Sequence, residues 1–146
     1  MKIYVAGASA QIGYIESIIA KLRAAGHTIT HDWTVDVRAA GNNASPDDEA
    51  LCRRAALADL RGVVDSDLTW VVQPDGQSTS TGAWVELGAA ILMKEGITLT
   101  RRPLVIVSGE SKKCIFRLLA DHVFMHHDDA LEYVLSLVTE AKDAKK

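Results

Sequence analysis

The chain has 146 residues, 48% of them apolar and 24% charged, and a formal charge of −3 at pH 7. One domain of this size buries a full core. It carries no basic stripe and no apolar run near the ~20 residues of a membrane span, so neither nucleic-acid binding nor a membrane partner is expected. Residues 1–5 enter a strand pattern directly, without signal-peptide architecture, and Cys52 and Cys114 suggest neither a metal site nor a disulfide scaffold. A cytoplasmic setting is expected.

Residues 3–6 predict a first strand, with Tyr4 close to its carboxyl end, running into Gly7-Ala8-Ser9. Ile15, Ile18, Ile19 and Leu22 recur at helical spacing, and Gly26 is the stop. Residues 28–30 form a short β-rich run before His31-Asp32-Trp33, and the polar stretch 35–44, with Gly41-Asn42-Asn43, reads as a mobile loop. Ser45-Pro46-Asp47-Asp48 predicts a helix start with Ser at the N-cap, Pro at N1 and acids in the first turn, and this helix is expected to end near Arg61. Residues 68–72 predict a third strand. After a loop of Gln, Pro, Asp, Gly, Ser and Thr, residues 82–94 predict a helix with Trp84, Leu87 and Ile91 on one face. A fourth strand is expected at 104–107, a helix at 112–120 and a fifth strand at 122–125. Asp128 or Asp129 then caps a last helix with Leu131, Val134, Leu135 and Val138 on its apolar face.

Strands alternating with helices imply an α/β protein, and right-handed crossovers narrow the topology. The expected fold is a single-domain, doubly wound, five-stranded parallel sheet of flavodoxin-like or Rossmann-like type, order 2-1-3-4-5, with helices on both faces. It covers residues 1–141 and leaves a solvated Lys-rich tail at 142–146.

In such a sheet ligands bind at the carboxyl ends of the strands, beside the point where strand order reverses. The loops after strands one and three flank that point. Four positions then converge: Tyr4 in the first strand, Asp59 near the end of the helix before strand three, Ser80 in the loop after it, and Glu86 opening the next helix. Two carboxylates at one site suit glycosidic chemistry, one as nucleophile on the anomeric carbon and the other supplying a proton to the leaving group. Their tasks require pKa values pushed apart by different environments.

Plainer readings stand beside these. An acid is stabilised in the first turn of any helix. Asp59 sits among Arg53, Arg54 and Arg61 as a surface acid would, Tyr4 suits a core, and Asp67 suits the turn into strand three. His31-Asp32 and His126-His127-Asp128-Asp129 invite a metal reading, but neither has the i, i+4 spacing of a helical His pair, and no metal is expected. The glycines of Gly7-Ala8-Ser9-Ala10-Gln11-Ile12-Gly13 are too few and wrongly spaced for a dinucleotide loop. Trp33 is a candidate for stacking on a nucleobase.

Three segments carry a family likeness: Ile3-Tyr4-Val5-Ala6-Gly7, then Asp59-Leu60 eight residues before Asp67, then Gly82-Ala83-Trp84-Val85-Glu86-Leu87-Gly88. In this order and spacing the chain resembles the nucleoside 2-deoxyribosyltransferases and the related 2′-deoxynucleoside 5′-phosphate N-hydrolases, from residue 1 to about 107 and more weakly to 133. The resemblance implies Glu86 as nucleophile, Asp59 as the group managing the proton on the departing base, and Tyr4 as the residue orienting Glu86. It implies a nucleoside or nucleotide substrate and no cofactor; Gly7, Ser9, Ser80 and Gly82, with Trp33 from its own stacking capacity, are the candidate substrate contacts. It also implies a homodimer or higher oligomer, with Asp121 and His122 as a trans contribution to a neighbour's site.

Two departures bear on the substrate. Many transferases of this kind carry an Asp six residues before the nucleophile, where this chain has Ser80, as the 5′-phosphate hydrolases do. Those hydrolases also use a Ser and an Arg after the first strand's Gly, where this chain has Ala8 and Ala10, leaving Ser9 and backbone N–H groups for an anion. Two other functions stay open, cleavage of another N-riboside such as a nicotinamide dinucleotide and a non-catalytic nucleotide sensor.

Overall fold

The structure is a computed structural model that describes residues 1–41, 48–73, 81–96, 102–110 and 114–143, with side chains through Leu137 in the last helix. Strands β1 (Lys2–Ala6), β2 (Thr28–Ile29), β3 (Leu68–Val72), β4 (Leu104–Ser108) and β5 (His122–Phe124) form one parallel sheet, ordered β2-β1-β3-β4-β5. Helices α1 (Ile12–Ala24), α2 (Trp33–Ala40), α3 (Glu49–Asp65), α4 (Thr81–Lys94) and α5 (His127–Asp143) complete the doubly wound α/β fold that the alternation predicts. Every residue of β3 is buried, as a central strand covered on both faces requires. Among the described residues no helix is long and apolar enough to cross a membrane.

Register decides which side chains share a face. Tyr4 pairs with Thr69, and Thr69 with Val105, on the side where Gly62 of α3 and Glu86 of α4 approach. The opposite side carries Val5, Trp70 and Ile106, and there α1 and α5 lie together, joined by the ring contact of Tyr14 with His127. Ile15, Ile18, Ile19 and Leu22 of α1 are all buried, as their spacing predicts, and Gly26 ends that helix at φ +88. On the same side the Trp70 indole N–H donates to Ser108 Oγ at 2.8 Å, and Ser108 Oγ lies 2.8 Å from His127 Nδ1, fastening α5 to β4. A Ser108→Ala substitution leaves the buried Trp70 N–H without its acceptor. We expect a loss of about 1–3 kcal/mol in urea unfolding with the residues on the Tyr4 side undisturbed.

Several boundaries differ from the sequence reading. Residues 33–40 form α2, most of which falls within the expected loop 35–44; residues 42–44 of that loop lie outside the described residues. Only Trp33 and Thr34 of it are buried, so it has almost no apolar stripe to read. Tertiary contacts hold it instead: the Trp33 indole N–H donates to the Val5 carbonyl at 2.9 Å, and Arg38 clamps Glu16 of α1 at 2.8 and 2.9 Å. The N-cap of α3 is Asp48, whose Oδ1 accepts from Leu51 N–H, rather than Ser45; residues 45–47 lie outside the described residues, and α3 continues past Arg61 to Asp65. The expected helix at 112–120 is a 3₁₀ segment, Ile115–Leu119, with 111–113 outside the described residues. Strand β5 ends at Phe124, one residue early. Asp128 and Asp129 sit inside the first turn of α5, which begins at His127, and α5 runs past Lys142 into the stretch read as tail.

Candidate active site

Tyr4 is central in β1, not near its end, and is fully buried. Its hydroxyl donates to Glu86 Oε1 at 2.8 Å across 82 residues of sequence. Glu86 is the sixth residue of α4 and so lies in the second turn, not the first as the sequence reading had it. The helix dipole acts within the first turn, so it does not account for an acid here. Glu86 is instead only 7% exposed, on the sheet-facing side with Ala83, Leu87 and Ala90. Burying a carboxylate among apolar neighbours costs stability whatever its purpose, so a carboxylate held there is a candidate functional group.

Asp59 lies on α3 three residues before Gly62, which places both on the side facing β1. Gly62 is what lets α3 come this close. A Cβ built there would stand 2.7 Å from Tyr4 Cδ2 and 2.7 Å from His31 Cβ. The Gly62 carbonyl also accepts from Thr30 Oγ1 at 2.7 Å, which ties the end of β2 to α3. The Asp59 side chain is 26% exposed, and its Oδ1 lies 3.4 Å from His31 Nε2. The arginines beside it in sequence, Arg53, Arg54 and Arg61, are exposed, so Asp59 is not simply one of a solvated charged set.

These groups perturb one another in a consistent direction. Burial is the main cause that pushes Glu86 up to about 7; the hydrogen bond from Tyr4 opposes it and the nearby Asp59 charge adds to it. Burial also raises Asp59, while His31 and a hydrogen bond with Tyr4 pull it down and Asp36 pushes it up. Tyr4, desolvated and facing two carboxylates, is raised far enough to stay a phenol at any physiological pH. The result is one fixed proton donor between two carboxyl groups that both hold protons more tightly than exposed acids do.

The remaining candidates divide. Gly7 follows β1 at the carboxyl end of the sheet, and its lack of a side chain is explained by Ile15, whose Cδ1 would meet a Cβ at 2.6 Å. Ser9 is exposed in a 3₁₀ turn, Ser9–Gln11, and Gly82 is exposed in the first turn of α4 with open space around it. They follow β1 and β3, the two strands that flank the reversal of strand order. Ser80 lies outside the described residues. Trp33 is 9% exposed, with its N–H engaged by Val5, so here it anchors α2 to β1.

Asp121 and His122 lie at the amino end of β5, away from Tyr4, Asp59 and Glu86 of the same chain. Asp121 accepts from Val105 N–H and pairs with Lys94 at 3.1 Å, and His122 Nε2 meets Tyr133 Oη at 2.9 Å. Asp67 likewise serves the frame, accepting the Lys2 N–H at 2.7 Å. His127 Nδ1 is held by Ser108, and among the described residues no group of three His, Cys, Asp or Glu is arranged to hold a metal ion.

The sequence reading missed Gly62, although a lone glycine inside a helical pattern, three residues after a candidate acid, is a signal of close packing. It also gave no sign that His31 lies against Asp59. No protein-family model matches the chain, and no curated protein matches it either.

Proposed function

We propose that the protein breaks or transfers the N-glycosidic bond of a 2′-deoxynucleoside or its 5′-monophosphate, as an enzyme of the nucleoside 2-deoxyribosyltransferase type. The observation that carries this reading is the buried Glu86 carboxylate held by the Tyr4 hydroxyl at 2.8 Å with Asp59 in range of both. A tyrosine that donates to one carboxyl oxygen fixes the rotamer of Glu86 and leaves its other oxygen for attack.

The Glu86 carboxylate attacks C1′, and the C1′–N bond breaks with its electron pair moving to the base nitrogen. That nitrogen takes the proton of Asp59. Water then attacks C1′ of the glycosyl ester, Asp59 takes the water's proton, and the Glu86 carboxylate is released; a second base with an N–H replaces water in the transferase reaction. Two displacements retain the anomeric configuration. The raised value of Asp59 supports its role as acid, and that of Glu86, near 7, sets the acidic limb of the pH profile because only the ionised form attacks.

The reading includes a cytoplasmic homodimer or larger homo-oligomer acting on a small-molecule substrate. In support of an oligomer, the 3₁₀ segment Ile115–Leu119 presents Ile115, Phe116 and Leu118 to solvent at 74, 57 and 76% exposure. A patch of this kind on one short element is characteristic of an interface. Asp121 and His122, just beyond that segment, remain the candidates for a contribution to a neighbouring site.

The test is incubation of purified protein with deoxynucleosides and their monophosphates, with and without a second free base, and chromatography of the products. Base release or exchange in the wild type that disappears in Glu86→Ala is the expected result, and dependence on added base separates transferase from hydrolase. An absence of turnover with every deoxynucleoside overturns the reading in favour of a dinucleotide substrate or a sensor.

A further inference from the structure

One group at this site has no part in the mechanism above. His31 follows β2, is 22% exposed at its side chain, and points Nε2 between two carboxylates, Asp59 at 3.4 Å and Asp36 at 3.5 Å. Neither contact meets hydrogen-bond geometry, and both Nε2 and Asp59 Oδ1 are buried atoms lacking such a partner. The surroundings nonetheless fix the backbone that carries the ring. Thr30 is tied to the Ile3 and Gly62 carbonyls, Asp32 pairs with Arg23 at 2.9 Å, and His31 Cβ occupies the space that the bare Gly62 leaves. A ring delivered this firmly to one oxygen of a buried acid is arranged to act on that acid.

We propose that His31 is the positioning residue of Asp59: its Nε2 engages Oδ1, orients the carboxyl group, and leaves Oδ2 as the oxygen that exchanges a proton with the base. This rests on the glycosidic reading of the site. The groups that bear on the pair are Asp36 from α2, Tyr4 from β1, Glu86 from α4 behind Tyr4, and the Asp32–Arg23 pair beside His31 in the chain. Of these, Asp36 favours a proton on Asp59, whereas His31 and Tyr4 disfavour it. Removing His31 takes away a counterweight, so Asp59 holds its proton to higher pH. In the catalytic cycle Asp59 must be protonated when the base leaves, so the alkaline limb of kcat moves upward.

The experiment follows the Asp59 carboxyl carbon by NMR across pH in the full chain, in wild type, His31→Phe and His31→Gln, alongside kcat and KM. In His31→Phe the Asp59 midpoint is expected to rise and the alkaline limb to rise with it, while kcat falls by about 10- to 100-fold through lost orientation and KM changes little. His31→Gln restores a donor without the imidazole, and recovers most of kcat with an intermediate midpoint. An Asp59 midpoint that is the same in all three proteins overturns the proposal, as does a kcat that His31→Gln leaves as low as His31→Phe. If no nucleoside turns over in the wild type but the midpoint still moves, the contact stands and the glycosidic reading alone fails.

Discussion

Replacing Glu86 by Gln is expected to end turnover and at the same time to stabilise the fold in a strongly pH-dependent way. Folding moves Glu86 from an ordinary value of 4.5 to about 7. A carboxyl group whose value rises on folding binds its proton more tightly in the native state, so native stability falls as pH rises. Below the unfolded value the group is neutral in both states and imposes no penalty. Between there and about 7 the penalty grows, and above 7 it is complete. The difference of the two values corresponds to about 3 kcal/mol. Gln keeps an oxygen to accept from Tyr4 but never ionises. Urea unfolding of wild type and Glu86→Gln should therefore give curves whose separation widens from pH 5 to pH 8 in favour of the variant. A separation that does not change with pH would show that Glu86 is not a desolvated carboxylate, and would remove the main support for the proposal that it is a poised nucleophile. The same group makes kcat/KM of the wild type rise with pH through the region near 7.

The second large effect is expected at a residue with no chemistry of its own. In Gly62→Ala the new methyl would stand 2.7 Å from Tyr4 Cδ2, 2.8 Å from Tyr4 Cε2 and 2.7 Å from His31 Cβ. Neither neighbour can yield cheaply, since the Tyr4 ring is pinned at its hydroxyl by Glu86 and the His31 Cβ is part of a tethered segment. Alanine gains about 1 kcal/mol of helix propensity over glycine, and overpacking costs about 1–3 kcal/mol, so the net change in stability is small. The displacement, however, falls on all of Tyr4, His31 and Asp59. We expect a modest loss in thermal unfolding and a fall in kcat of at least about tenfold. Gly88→Ala is the control: in α4 a Cβ there meets nothing within 4 Å, so only the propensity gain remains. Wild-type turnover in Gly62→Ala would mean that the separation of α3 from β1 does not set the site's geometry.

These two residues show where legibility in the sequence ends. Glu86 is conspicuous as a carboxylate in an otherwise apolar and small helix, and a parallel sheet makes its convergence with Tyr4 and Asp59 an expectation, while the Tyr4 contact itself is established only by the tertiary structure. The sequence reading puts Glu86 in the first turn, although the predicted start at residue 82 already makes it the fifth helical residue, and the start at Thr81 makes it the sixth. Gly62 is legible in sequence only as a point of close packing, since a glycine gives no sign of which ring it accommodates.

By itself the sequence determined the fold class and the strand order, because alternating strand and helix patterns with right-handed crossovers leave few topologies and this chain's apolar runs are clearly spaced. It also determined which residue types were available for chemistry. Only the tertiary structure decided that α2 exists, because that helix is held by Trp33 on Val5 and Arg38 on Glu16 rather than by an apolar face. Only it brought His31 to Asp59, and only it gave Glu86 and Asp59 their raised proton affinities. Burial and a neighbour's charge are properties of position in space, and residues 82 apart in the chain acquire them only when the sheet brings them within 2.8 Å.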